Sequence, residues 1–205
     1  MANKFAEIAF TPNVKAIQEQ LGSRANYTRM EGANADRNHI LGPSEAGFIA
    51  QRDSFYMASV GETGWPYVQH RGGPEGFVRV LDEMTIGFAD FHGNRQYVSV
   101  GNTVNDDRVS LFFMDYPNRT RLKVLGRAKL IDPSDSTTMA KLAFPGYSAR
   151  IERGFVISIE AFDWNCPQHI TPRFTLAQVE LSTAPLRERI AELEADLDRL
   201  RQPRP

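Results

Sequence analysis

The stretch RTRLKVLGRAKLI, residues 119–131, alternates charged and apolar residues with a period of two. Successive side chains of a β-strand point to opposite faces, so this pattern specifies a strand with two unlike sides. One face carries Leu122, Val124, Ala128 and Leu130, and the other carries Arg119, Arg121, Lys123, Arg127 and Lys129. Neighbouring exposed cations on one face repel by roughly a few tenths of a kcal/mol per pair. Each therefore calls for a counter-charge. Carboxylates are expected beside Arg127 and Lys129; for Arg121 and Lys123 an anionic ligand stands as an alternative.

Further strands are expected at 55–60, 65–71, 77–82, 85–90, 108–116 and 154–162, the first two joined by a tight turn from Gly61 to Gly64. Short connections and few helices favour an antiparallel barrel over a βαβ sheet. Thr11 before Pro12 reads as the start of a helix that carries Val14, Ile17 and Leu21 and is closed by Gly22. Residues 22–43 are polar and read as a long surface connection. Other helices are expected over Ser44 to Asp53 with Ser44 as cap, over 94–103, and over 134–143 with Ser134 as cap behind Pro133. In 184–202, Leu186, Ile190, Leu193, Leu197 and Leu200 alternate by four and three, among Arg, Glu and Asp. Two heptads are too short for a stable isolated coiled coil, so this helix is expected to dock on its own barrel or on a partner subunit. The expected organisation is an N-terminal helical extension (1–43), a barrel domain (44–175), and a C-terminal amphipathic helix and tail (176–205).

Composition narrows the function. The 205 residues carry a formal net charge of −1, which argues against broad nucleic-acid contact. No apolar run approaches the ~18 residues of a membrane span, and no secretory leader is evident. The expectation is a globular cytoplasmic protein without membrane or nucleic-acid partners. A single cysteine, Cys166, leaves no disulfide framework and no cysteine-rich metal site. His39, His70, His92 and His169 have no metal-ligand spacing, so no metal is expected. Of 24 cationic residues, 19 are Arg. Coding bias explains such an excess, and so does local anion binding, since the guanidinium matches phosphate and carboxylate bidentately.

Three segments suit a ligand. FADFHGNRQ, 88–96, reads as a strand entering a Gly turn and a helix, which aims backbone N–H groups at one point, with Asn94 and Arg95 beside it. WPYVQHRGGPEG, 65–76, sets glycines after Arg71 where backbone can approach a flat ligand. FDWNCPQHITPRF, 162–174, offers Trp164 for stacking and Arg173 for an oxygen. No G-x-S-x-G, Walker A or G-x-G-x-x-G motif is present.

In order and spacing, PYVQHRGG, TIGFADFHGNRQ, RLKVLGRAKLI and the late Trp…Arg together resemble the pyridoxamine 5′-phosphate oxidase-like FMN-binding split-barrel family, over roughly residues 45–175. Within it the chain is most similar to the oxidase-related flavoproteins. The resemblance implies a mainly β fold, a six-stranded antiparallel split barrel with peripheral helices, and a homodimer with FMN at the subunit interface. It implies Arg71 as the first phosphate-binding Arg, with Gln69, His70 and Gly72 around it. Phe88, Ala89 and Asp90 match the strand passing the flavin. Asn94 and Arg95 match a Ser-Arg phosphate pair, and Gln96 stands where Lys is usual. Arg121 stands at a flavin-contacting Gln, with Lys123 on the same face. Trp164 and Arg173 match residues supplied by the second subunit. Two departures concern the substrate: Gly76 stands where the oxidases have Lys, and NCPQHITP holds a His but no Arg. Vitamin B6 chemistry is therefore not implied. The expected function is an FMN-dependent oxidoreductase for a small molecule, with NAD(P)H as a candidate reductant. The alternatives are a flavin-binding or electron-carrying module, or a split barrel that binds deazaflavin or haem.

Overall fold

A computed structural model describes residues 3–32, 35–164 and 166–201. The chain divides into two compact units: Met1–Asp115 with Thr120–Pro167, and Tyr116–Arg119 with Gln168–Pro205.

The first unit begins with helices α1 (Lys4–Ala9), α2 (Pro12–Gln20) and α3 (Arg24–Tyr27), a 3₁₀ turn (Thr28–Glu31), and α4 (Pro43–Ala50). Thr11 caps α2 through the Val14 amide, as expected, and Gly22 follows its end at φ +72°. Three expectations fail here. α1 was not foreseen; Asn3 starts it, its side chain accepting from the Ala6 amide. The stretch 22–43 is not a bare surface connection, since it holds α3 and the 3₁₀ turn and buries Leu41. α4 is capped at Gly42 rather than Ser44: Pro43 occupies its first turn, and the Glu45 carboxylate accepts from the Gly42 amide at 2.9 Å.

Seven strands follow: β1 (Ser54–Val60), β2 (Pro66–Gly72), β3 (Arg79–Asp82), β4 (Thr85–Phe91), β5 (Arg108–Asp115), β6 (Thr120–Ile131) and β7 (Ile151–Trp164). They form one antiparallel sheet in the order β2-β1-β5-β6-β7-β4-β3. The mainly β fold stands. The sheet has seven strands instead of six and is not closed by pairing, because among the described residues β2 and β3 share no ladder. Closure comes from the interior. Phe55 of β1 meets Phe88 of β4 edge-on at 5.2 Å although their strands do not pair, and Phe88 stacks on Phe155 of β7 at 5.1 Å. These rings and their buried neighbours, among them Phe113, Leu111, Leu122, Val124 and Ile157, make the core. Each such side chain contributes about 1.5–3 kcal/mol by leaving water.

Register sets which residues share a face. Arg71, Phe55, Phe113 and Leu122 lie opposite one another across β2, β1, β5 and β6, on the interior side. The next rung, His70, Tyr56, Phe112 and Lys123, faces outward. A bulge between Leu125 and Gly126 bends β6 against β7. A Cβ on Gly126 would fall 2.6 Å from the Ser158 carbonyl oxygen, so glycine is required there.

Helices α5 (Val98–Asn105) and α6 (Ser136–Leu142) complete this unit. α6 is capped by Asp135, whose side chain accepts from the Thr138 amide, and not by Ser134. α5 begins four residues later than expected, because Arg95 and Tyr97 adopt left-handed backbone (φ 62° and 54°) and hold 92–97 out of the helix. In the second unit, Arg119 is also left-handed (φ 52°), which removes it from the β6 face on which alternation had set it. The same unit carries α7 (Leu176–Arg201), which begins well before residue 184 and has no buried residue. Residues 202–205 of the expected tail, and Asn165 of the interval after Trp164, lie outside the described residues. Among the described residues, no helix is long and apolar enough to cross a membrane.

Candidate functional site

β4 and β2 bring the first two expected segments together. TIGFADF buries five successive residues, Ile86 to Asp90: β3 and β7 flank it, Phe88 packs among the interior rings, and Leu142 of α6 lies against Gly87 on the other face. Asp90 emerges at the end of that run with its side chain 9% exposed. Arg71 reaches across from β2 and donates through Nη1 to the Asp90 carboxylate. The Arg71 guanidinium also lies over the Phe155 ring, 5.2 Å from its centroid. Arg153, paired in register with Asp90, approaches the same carboxylate at 3.4 Å.

A second carboxylate completes the cluster. Glu152 accepts from Arg153 Nη2 at 3.0 Å, from His92 Nδ1 at 2.6 Å and from the Tyr97 hydroxyl at 3.3 Å. Arg95 Nε donates in turn to the Tyr97 oxygen at 3.1 Å. Three guanidinium groups, Arg71, Arg95 and Arg153, thus face two carboxylates. Arg71 Nε is buried without an acceptor, while Arg153 Nε has only the 3.4 Å ion-pair contact with Asp90, without hydrogen-bond geometry. A buried donor left unpaired costs about 1–3 kcal/mol, so this is where an incoming acceptor gains most.

The protonation balance follows from burial and neighbours. Burial raises the Asp90 carboxyl above its ordinary value, and Arg71 and Arg153 oppose that rise without cancelling it. For Glu152, burial also pushes upward, but hydrogen bonds from His92, Arg153 and Tyr97 win and hold it below the usual glutamate value. The Tyr97 contact raises Arg95 further.

Arg71, Asp90, Arg95, Tyr97 and Glu152 of the cluster line one or both of two adjoining cavities, whereas Arg153 and His92 line neither. One, of about 240 Å³, is bounded by Gln69, Arg71, Asp90, Asn94, Arg95 and Tyr97, among others. The other, of about 160 Å³, adds His70, Gly72, Phe88 and Ala89. Gln69 accepts from Ser99 Oγ at 2.8 Å, which leaves its amide N–H groups for a ligand. The first amides of α5 have no partner within their own helix. Ser99 and Val100 line the larger cavity. The helix end foreseen at 94–96 thus lies at 98–100, and the left-handed residues of 92–97 carry backbone strain of the kind found at ligand clamps.

Nine expected residues therefore converge: Gln69, His70, Arg71, Gly72, Phe88, Ala89, Asp90, Asn94 and Arg95. Gln96 is exposed, its amide donating to the Asn94 side chain at 3.2 Å. The remaining four line neither cavity. Arg121 lies over Phe112, 5.9 Å from the ring centroid. Lys123 pairs with Asp163 at 3.0 Å, on the face opposite to Arg71. Trp164 donates to Glu45 Oε1 at 2.7 Å and meets Phe48 edge-on. Arg173 covers Tyr116 within the second unit. Arg127, as expected, is held by Asp107 and Glu160. Arg153, Glu152 and Tyr97 were not foreseen. The alternation of Arg153 with Phe155 and Ile157 marks it as inward-facing, and that signal was readable in the sequence.

A larger cleft of about 510 Å³ lies elsewhere on this unit, lined by Ile8, Ala58, Val60, Val109 and Leu125. It contains none of the expected residues, and the Arg127 at its rim is already paired.

An antiparallel sheet left open between β2 and β3, with an arginine-lined pocket beside Arg71 and Asp90, is the arrangement of a split-barrel protein. Residues 43–161 match the model of the pyridoxamine 5′-phosphate oxidase family, and the chain belongs to that family. Among solved structures, HupZ of Group A Streptococcus is similar in fold at 14% identity, covering 66% of this chain and 100% of its own, with a TM-score of 0.51. A Clostridium acetobutylicum protein related to general stress protein 26 of B. subtilis, of the pyridoxinephosphate oxidase family, matches at 13% identity, 66% and 94% coverage and a TM-score of 0.44. An F420 reductase matches at 16% identity, 60% and 98% coverage and a TM-score of 0.43. No curated protein sequence matches the chain.

Proposed function

We propose that the protein is an FMN-dependent oxidoreductase acting on a small molecule, and that it works as a homodimer. The observation that supports this most directly is Arg71 Nε, buried without an acceptor in a side chain that lines the same pocket as Asn94 and Arg95. A phosphate monoester supplies the missing acceptor and offsets the surplus guanidinium charge. On this reading Arg71 and Arg95 hold the phosphate of FMN, Arg153 fixes Asp90 and Glu152 behind them, Asn94 and the first amides of α5 add neutral donors, and Gln69 donates to a polar edge of the ligand. Phe88 and Phe155 keep water from the inner side of the cluster. FMN, when bound, supplies hydride or electron transfer, while the protein's contribution is to bind and orient it.

The two cavities share Gln69, Arg71, Asp90 and Phe91, and even together reach only the low end of the roughly 300–1,000 Å³ of a complete small-molecule site. That supports a site finished by a second subunit. Arg121, Lys123, Trp164 and Arg173 then belong to the subunit contact or to the partner's share of the site.

The test is the visible spectrum of freshly purified protein, followed by anaerobic reduction with NADH and NADPH. Two flavin bands in the parent chain, absent from Arg95→Ala, are expected. Stoichiometric FMN in Arg95→Ala overturns the phosphate assignment, and an intense Soret band overturns the cofactor. Light scattering tests the dimer: a monomer that still holds FMN contradicts the shared site.

A further inference from the structure

The geometry of α7 points to a second use of this chain as its own partner: we infer that α7 pairs with α7 of another copy, antiparallel, with Ile190 opposite Leu193. This is independent of the cofactor reading. The helix runs 26 residues, from Leu176 to Arg201. Over that length the alternation of three and four extends backwards beyond the first two heptads, through Leu176, Val179 and Thr183, to Leu186, Ile190, Leu193, Leu197 and Leu200. It forms one continuous seam. Its Leu, Ile and Val members are 42% to 82% exposed. A stripe of this kind is the surface that knobs-into-holes packing covers.

The flanking charges identify the occupant. Beside the seam, on one side, stand Glu180, Arg187, Glu194 and Arg201; on the other stand Ser182, Arg189 and Asp196. In an antiparallel pair, like flanks meet. With Ile190 facing Leu193 of the second copy, Arg187 meets Glu194, Glu180 meets Arg201, and Arg189 meets Asp196, each twice by symmetry. Every flanking charge finds its opposite. Sliding one helix by a heptad instead sets Arg187 against Arg187, Arg189 against Arg189 and Glu180 against Glu194. The pattern therefore selects one register as well as a partner with its own sequence.

Two local details agree. Pro185 lacks the amide that would bond the Leu181 carbonyl, so regular helix is strongest beyond it. In the antiparallel register the facing seam runs from Thr183 to Leu200, nearly all on that side, with Glu180 and Arg201 just beyond its ends. Thr183, the one polar member of the seam, already donates to the Val179 carbonyl at 2.8 Å and can be covered without an unpaired hydroxyl. The ion pairs within α7, Arg189 with Glu192 and Arg199 with Asp196, are exposed and weak enough to exchange.

The experiment uses the full chain carrying Cys166→Ser and Ala191→Cys, with a nitroxide on the new cysteine. In the inferred pair the two labels sit at nearly the same level, so electron spin resonance should read a narrow distance near 20 Å, about the width of two packed helices. Arg187→Glu should lower the population at that distance at least tenfold, and adding Glu194→Arg should restore it. A chain with no short distance, or one in which Arg187→Glu changes nothing, overturns the inference. Failure of Glu194→Arg to restore the distance overturns it too. FMN content is read on the same samples, so a chain that lacks flavin and keeps the short distance supports the helix pair while counting against the cofactor.

Discussion

Arg71 on β2 and Asp90 on β4 are joined by a buried ion pair although their strands stand at far sides of the sheet order and never exchange a backbone hydrogen bond. Their side chains are 12% and 9% exposed. The bond fastens the open sheet and also holds the arginine that faces the pocket. Removing one partner of a buried pair costs about 3 kcal/mol or more, because the other charge stays desolvated. Asp90→Ala should therefore unfold at markedly lower urea than the parent. It should be less stable than Arg71→Ala, since it strands both Arg71 and Arg153. Equal midpoints for Asp90→Ala and the parent would contradict the burial of the pair.

The two carboxylates of the cluster should answer to pH in opposite directions. Glu152 is lowered when folded, so its contribution is complete above its ordinary value of 4.5 and is lost as pH falls through the lower folded value. Asp90 is raised, so just above 3.8 the folded protein keeps a proton that the unfolded chain has released. Stability from that group falls as pH rises through the window. Urea midpoints measured from neutral pH to about pH 3 should show a shallower acid loss for Glu152→Gln than for the parent.

Arg71 lines both cavities with a buried Nε that has no acceptor, and is the sharpest check on the anion reading. Its loss should weaken FMN binding roughly tenfold to a hundredfold, the worth of one charge-assisted hydrogen bond. Fluorescence titration of the apoprotein measures this. An unchanged affinity in Arg71→Ala would remove it from the phosphate site, whereas Arg153, which was not foreseen and lines neither cavity, should matter less.

Gly126 should resist even alanine. The added methyl would meet the Ser158 carbonyl oxygen at 2.6 Å and Ile157 Cγ2 at 2.7 Å. Backbone must shift to make room, at a cost of about 1–3 kcal/mol. Thermal unfolding of Gly126→Ala should show the loss.

Glu45 serves two structures with one carboxylate. One oxygen caps α4 at the Gly42 amide, and the other accepts from Trp164 Nε1. Glu45→Gln keeps both acceptor sites on a single side chain only in part, whereas Glu45→Ala removes both. The alanine variant should lose about 1–2 kcal/mol and shift Trp164 fluorescence, the glutamine variant less.

The strands were legible because period-two alternation reports directly on a half-covered sheet. The hairpin from Ser54 to Gly72 and the long β6 lie within a residue or two of their expected places. Arg71, Asp90, Asn94 and Arg95 were legible as a group because they stand in PYVQHRGG and TIGFADFHGNRQ, two of the segments that carry the family resemblance. What escaped was decided by contacts distant in sequence. The start of α5 depends on left-handed backbone at Arg95 and Tyr97, which no local pattern announces. α1 has only six residues, too short for periodicity to speak. Lys123 looked like an anion ligand because its partner, Asp163, stands on the neighbouring β7 and becomes adjacent only through register.

The open edge between β2 and β3 gives this sheet a buckle. A cylinder laddered all the way round dilates only by tearing main-chain bonds. Here the two margins are drawn together by ring contacts such as Phe55 with Phe88 and by one guanidinium clasped to one carboxylate. The Arg71–Asp90 bond therefore does for the margins what a main-chain ladder does elsewhere in the sheet, and the sheet's integrity there rests on side chains.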